Sequence, residues 1–512
     1  MRVVLCIIFF FPLAAFAQNL TRTGIAKIKA LNTGVILKQG TVKGYYYFYN
    51  VEKKDKKNNN YLLSVVDENL HEVNSINIVR PSNYTLIESA YNEQVFVFMF
   101  FDPKQKRTEL ISYDNSLVQV GALVKPIKSP AILGSYQNIA LGNEAQQRYL
   151  LPVEGDGFIL YESGGITYYD NALKSVWDSS SKEKNSNAAI PSEGFISKQW
   201  LGSIVSQASG KDIEYDLLVN DLGTGELKFQ APMRTELINV IPNDVSYDSA
   251  NQLVVIFGEY FDAKDKTLKA QSLGFCYLMF DLQGKLSSSK TIAWADISQR
   301  APVNKDGKFD GLNSNILFHE FIHTADGQIF AIGEQYKKVA SGAGIGLQVL
   351  QVAAMVASRG GYYARSSSSS VQMNVYNMVV FQFNADYTLN KVHLFEKNKS
   401  QILLPSGSTY MSSKLLSYYV KARGGFDYRF SQLFPGKETF AVVYLDALKQ
   451  SSKIQLGAIV YTPEKVFTVD KIDFDRKSSD FAVTRAKAGY VLIAEYFRKE
   501  KKFDMRLEKI NY

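Results

Sequence analysis

Cysteine and histidine are nearly missing from this chain, which has two and four of them in 512 residues. Cys276 is the only cysteine outside the first few residues, so no disulfide can form within a chain that has lost its leader, and burial alone must hold the fold. So few histidines leave little for general acid–base work. No Cys-x-x-Cys pair, phosphate-cradling glycine loop or Ser-His-Asp order stands out. A linker rich in Pro, Gly and Ser is also lacking, which argues against two β-domains in tandem. What the chain has in quantity is tyrosine and phenylalanine, 31 and 32 residues, and these favour strands.

Residues 1–17 have the layout of a cleavable export signal. Arg2 gives a positive start, Val3–Leu13 an apolar stretch, and Ala15-Phe16-Ala17 a small-x-small cleavage site before Gln18. The apolar stretch is shorter than the roughly 20 residues a spanning helix needs. Leu5 before Cys6 is not the small residue of a lipidation site. The expectation is an exported chain, periplasmic or extracellular, with a single domain over 18–512. Its formal charge of +8 is scattered, apart from Lys53-Lys54-Asp55-Lys56-Lys57, which reads as a solvated hairpin tip; nucleic acid is not an expected partner.

A unit of strand, turn, strand, Asx turn and alternating strand recurs along the chain. Its clearest mark is the turn after a strand: Asp67-Glu68-Asn69-Leu70, Asp114-Asn115-Ser116-Leu117, Asp170-Asn171-Ala172-Leu173, Asp221 to Leu227, Asp281 to Leu286, and Asn384 to Leu389. A second mark lies one strand earlier, in Val254–Tyr260, Ile329–Tyr336 and Val491–Tyr496, each carrying a glutamate near its end. Units of about 50 to 60 residues with four short strands are β-propeller blades. The expected fold is all-β, a propeller of seven to eight four-stranded blades with eight favoured. Gly24–Leu31 is the expected source of the outer strand that the last unit lacks. In blade layout, though in no family-defining motif, the chain resembles the secreted, functionally uncharacterised β-propeller proteins of Bacteroidota, and that resemblance implies no catalytic residues.

One insertion, at about 337–373, interrupts the sixth unit. Leu347, Leu350 and Ala354 recur there at helical spacing inside an almost wholly apolar segment. Three readings stay open: a helix buried on the propeller, a helix in contact with a membrane, and a helix that docks a protein partner through Leu347, Leu350, Ala354 and Met355. Long insertions carry function often enough to make this a pointer to a site.

Two motifs promise metals and fail on spacing. His319-Glu320-Phe321-Ile322-His323 has the H-E-x-x-H pattern of zinc peptidases, which needs a helix to bring both rings to one metal. Here Asp326-Gly327 turns the chain straight into the next strand, so the segment is expected to be a strand, with its histidines about 13 Å apart. Asn304–Asp310 resembles part of a calcium loop but lacks both end ligands and reads as a turn between blades. No metal and no cofactor is expected. Glu259, Glu334 and Glu495 occupy matching positions in three units and are candidate ligand-binding residues near the channel, set against the plainer reading of paired carboxylates within the repeat. The expected function is a non-catalytic binding or scaffold propeller with a protein or glycan partner; the alternative is a secreted hydrolase of glycans or peptides.

Overall fold

A computed structural model describes residues 18–28, 33–140, 148–162, 165–179, 194–209, 212–265, 267, 270–340, 371–404, 408, 411–434, 438–447, 453–462, 464, 466–475, 478 and 480–510. Eight antiparallel sheets follow one another along the chain, each of four strands apart from one that gains a fifth. They are the blades of a propeller, and we number them from Thr33.

The turns that mark the repeat owe their regularity to one device. The Asp67 carboxylate accepts the amides of Asn69 and His71 at 2.8 Å each; Asp114 and Asp170 bind the matching amides two and four residues on. The fourth residue must then take a left-handed conformation, and leucine fills it at Leu70, Leu117 and Leu173, with φ of 67°, 61° and 61°. That conformation costs a leucine about 1–2 kcal/mol. Each of the three is at most 4 % exposed, and burying the side chain offsets the strain.

The second strand of each blade is the most buried element, as in Val95–Asp102, where all eight residues are buried. Cys276, on the third strand of blade 5, is buried as well, and burial pushes its thiol up to about 12. A thiol reagent should therefore leave Cys276 unmodified in the native protein and label it stoichiometrically once the chain is unfolded. Labelling at native pH would show that blade 5 opens.

Closure of the ring departs from the expectation by a few residues. Asn19–Arg22, and not Gly24–Leu31, is the outer strand of blade 8, antiparallel to Lys502–Lys509 with Asn19 opposite Arg506 and Arg22 opposite Phe503. The next residues instead bridge blade 8 to blade 1. Ile25 donates its amide to the Lys501 carbonyl and, with Ile28, is buried among aromatics of both blades, so the apolar pattern that suggested a strand serves a crossing.

Three short helices break the all-β pattern among the described residues: α1 (Pro130–Ala140), α2 (Trp294–Ile297) and α3 (Ser413–Ala422). None was expected, because each is too short to show a long helical period; the Ser412 cap of α3, whose Oγ accepts the Leu415 amide, was its one local signal. The insertion in blade 6 is narrower than 337–373. Its flanking strands run to Ala340 and from Val371 and pair to their ends, and Ser400–Leu403 adds the fifth strand against Gln372–Val375. Leu347, Leu350, Ala354 and Met355 lie outside the described residues. None of the described helices is long and apolar enough to cross a membrane.

Candidate functional site at one mouth of the channel

Because successive strands are antiparallel, the turns after the first and third strands of every blade share one face of the propeller. Connections between blades share the other face with the turns after the second strands. α3, between blades 6 and 7, therefore lies on that other face, and it reaches well beyond its own blades: Lys414 pairs with Glu259, and Tyr418 accepts a hydrogen bond from Asn243 at 2.8 Å, both on blade 5. Tyr418 packs with Ile241, Phe261 and Tyr215 of blades 4 and 5. The helix thus packs beneath blade 6 and reaches the neighbouring blade 5 on that face.

At the opposite mouth a cavity of about 490 Å³ is lined from blades 1, 3, 6, 7 and 8, with Gln39, Glu154, Glu320, Phe321, His323 and Arg485 among its walls. One of these groups, Glu320, is placed by an irregularity that recurs on the innermost strands. A β-bulge between Leu86 and Glu88, between Pro242 and Asp244, and between Phe318 and Glu320 adds one residue to the first strand of blades 2, 5 and 6. A bulge breaks the strict alternation of faces, and in each case the acid after it meets the innermost strand of the next blade. Glu88 accepts the amides of Tyr149 and Leu150 at 2.9 and 3.3 Å. Asp244 lies 3.7 Å from His323. Glu320 accepts the Ser431 amide at 3.1 Å and the Tyr428 hydroxyl.

Glu320 also holds Arg485, whose Nη2 is 3.2 Å from Oε1 and whose side chain is 41 % exposed to the cavity. At the rim, Glu154 shares a hydrogen bond with Glu93, and that contact raises its pKa. Two carboxyls in contact cannot both stay ionised without cost.

The H-E-x-x-H segment is a strand, Asn315–His323, as the turn after it required. Its histidines serve different places. His319 has a side chain only 3 % exposed; it stacks on Tyr428 with ring centroids 4.8 Å apart and brings Nε2 to 3.0 Å from Glu334. Burial lowers its pKa despite that carboxylate. His323 is 44 % exposed and faces Asp244 in the cavity. The calcium-like loop is a turn, closed by Asn304 Oδ1 accepting the amides of Asp306 and Lys308 at 3.0 Å each.

Glu259, Glu334 and Glu495 do occupy equivalent second strands, and each is buried against a cation of its own: Lys414 for Glu259, Lys397 for Glu334, which also meets the His319 ring, and Arg506 for Glu495. Around Glu334 the charges form a closed cluster. Lys397 lies 3.4 Å from Glu334 and 2.5 Å from Asp427, and Asp427 accepts the Ser400 hydroxyl at 2.6 Å. Burial disfavours each charge there. The two carboxylates nevertheless hold the Lys397 ammonium above its usual pKa, while Lys397 and His319 pull Glu334 below its own. Asp427 stays raised by burial.

Sequence reasoning missed Glu88, Asp244, Arg485 and Lys397. The signal for the first two was an acid placed where the alternation of a first strand breaks; Arg485 and Lys397 had none, since their roles depend on residues remote in sequence.

Residues 1–511 match the model of a family of unknown function (DUF6770). No curated protein matches the sequence. Among solved structures the chain is similar to the Pan2 WD40 domain of Neurospora crassa, at 10 % identity and TM-score 0.32 over 83 % of this chain and 90 % of that one. It is likewise similar to the lignostilbene dioxygenase of Pseudomonas brassicacearum, at 8 % identity and TM-score 0.39 over 83 % and 88 %. Polysaccharide lyase Uly1 aligns at 10 % identity and TM-score 0.33 over 95 % and 91 %. These likenesses concern the fold alone.

Proposed function

We propose that this chain, which belongs to that family of unknown function, is an exported, non-catalytic binding propeller that seats a polar ligand, a glycan or a peptide segment, in the mouth of its channel. The observation that carries this reading is the cavity of about 490 Å³, within the range of small-molecule sites, which collects polar groups from separate blades. One carboxylate of its lining, Glu320, supports binding over hydrolysis. Glu320 is already engaged by Tyr428, Ser431 and Arg485, whereas a general acid needs a carboxyl free to give up its proton. Arg485 is the residue on which the ligand would close, held by one oxygen of Glu320 with much of its guanidinium open to the cavity.

Glycan and peptide arrays probed with the mature protein test this directly. Arg485→Ala should lose at least tenfold in affinity, about 1.4 kcal/mol, for whatever ligand the wild type selects. Its melting temperature should stay within 2 °C or so, because surface substitutions away from the core change stability little. Unaltered binding by Arg485→Ala would place the ligand elsewhere. Turnover of an array ligand, lost in Glu154→Gln, would replace the binding reading with the hydrolase. Export is tested by the mature N-terminus, expected at Gln18 by mass spectrometry of protein from the periplasm or medium.

A further inference from the structure

A second cavity, of about 240 Å³, lies on the flank of the propeller between blades 2 and 3, remote from the channel groups described above. Ser129 and Ile132 at the start of α1 form one side of it. Ser129 caps that helix, its carbonyl accepting the Leu133 amide at 3.0 Å and its hydroxyl lying 3.4 Å from the Ile132 amide. A helix start turns partial positive charge toward whatever sits there. Lys128, exposed beside it, makes no ion pair among the described residues. Lys125 is held on the same wall by the Tyr169 hydroxyl, 2.7 Å from its Nζ.

An independent observation comes from two threonines. Thr108, on the third strand of blade 2, and Thr167, on the third strand of blade 3, line the cavity while each is only 3 % exposed. Among the described residues neither hydroxyl has a hydrogen-bond partner. Each hydroxyl oxygen keeps some exposure of its own, and the two, contributed by neighbouring blades, border the same space as the helix start and the lysines. Asp178 is the one carboxylate on the wall, against Lys125, Lys128 and the helix start.

We propose that this cavity binds a phosphate or sulfate group. Its donors come from the start of α1, the strand of Lys125 and the third strands of blades 2 and 3, which suits an anion with acceptors in several directions. The rest of the wall, Ile127, Ile132 and Leu160, is apolar, and this leaves space for an organic body behind the anion, so the ligand is an ester and not the bare ion.

The test is calorimetric titration of the mature protein with sodium phosphate and with sodium sulfate, against sodium chloride at equal ionic strength. Saturable binding of either oxyanion is expected, with no matching effect of chloride. Lys128→Glu, an exposed change that leaves the core alone, should weaken it about tenfold or more, and Thr108→Val with Thr167→Val should weaken it again while the melting temperature holds or rises. Three further arms identify the source: glucose 6-phosphate, a sulfated monosaccharide, and vesicles of phosphatidylglycerol. Tighter binding of any one over the free anion assigns the ester. Binding no different from chloride, or equal binding by wild type and Lys128→Glu, overturns the proposal. The channel reading is untouched by either result, since Arg485 plays no part here.

Discussion

Lys397→Met should lower the unfolding free energy by about 3–5 kcal/mol, the usual range when one partner of a buried ion pair is removed. The lysine side chain is fully buried, as is that of Glu334, and Asp427 is nearly so. Without the ammonium, two carboxylates remain in the interior at the junction of blades 6 and 7, held by the His319 ring, the Tyr428 amide and the Ser400 hydroxyl but by no buried cation. They would respond by taking up protons, so the loss should be greatest above neutrality and shrink toward pH 4. Adding Asp427→Asn to Lys397→Met should recover part of the loss, because it removes one of the two stranded charges. Equilibrium denaturation at pH 8 and pH 5 measures all three proteins. A loss below about 1 kcal/mol at pH 8 would mean that water reaches the cluster and that it is not the rivet between the two blades.

That cluster shows where a sequence stops being informative. The blades were legible because their determinants are local: an aspartate two residues before the amide it binds, a leucine at the left-handed position, and an apolar second strand leading in. Even the eight-fold count followed from those turns. The closing strand was misplaced because Ile25 and Ile28 are as apolar as a strand requires, while Asn19–Arg22, an edge strand half in water, is too polar to stand out. Glu259, Glu334 and Glu495 were found as a column, yet their meaning lay in Lys414, Lys397 and Arg506. Two of those cations stand on other segments, and nothing about a lysine in sequence reveals that it is buried. The H-E-x-x-H segment was rightly placed on a strand, since the Asp-Gly turn behind it is also a local signal. Its use was not legible: His319 stacked on Tyr428, and Glu320 gripping the next blade, are both products of a bulge that no residue type announces.

The bulge in blade 2 leads to the other large expected effect. Glu88 lies on an innermost strand with Oε2 taking two amides of blade 3 and Oε1 buried without a hydrogen-bond partner. Burial pushes its pKa from 4.5 to about 7, against the pull of Arg148 and of the two amides. A carboxyl whose folded pKa is raised binds its proton more tightly in the native state than in the unfolded one. Its contribution is therefore full below about pH 4.5, is lost as pH rises through 7, and is constant beyond that. The displacement is worth about 3 kcal/mol. Glu88→Gln keeps an oxygen for the Tyr149 and Leu150 amides and cannot ionise, so its own cost, that of an amide nitrogen where Oε1 stood, is the same at every pH. The stability of Glu88→Gln minus that of wild type should thus shift by about 3 kcal/mol in favour of the glutamine between pH 4.5 and pH 8, with every other titrating group cancelling in the difference. Denaturant unfolding of the two proteins at half-unit pH steps gives the curve. A difference that stays flat would show that Glu88 is solvated in the folded protein, and one that moves the other way would show that Arg148 outweighs burial.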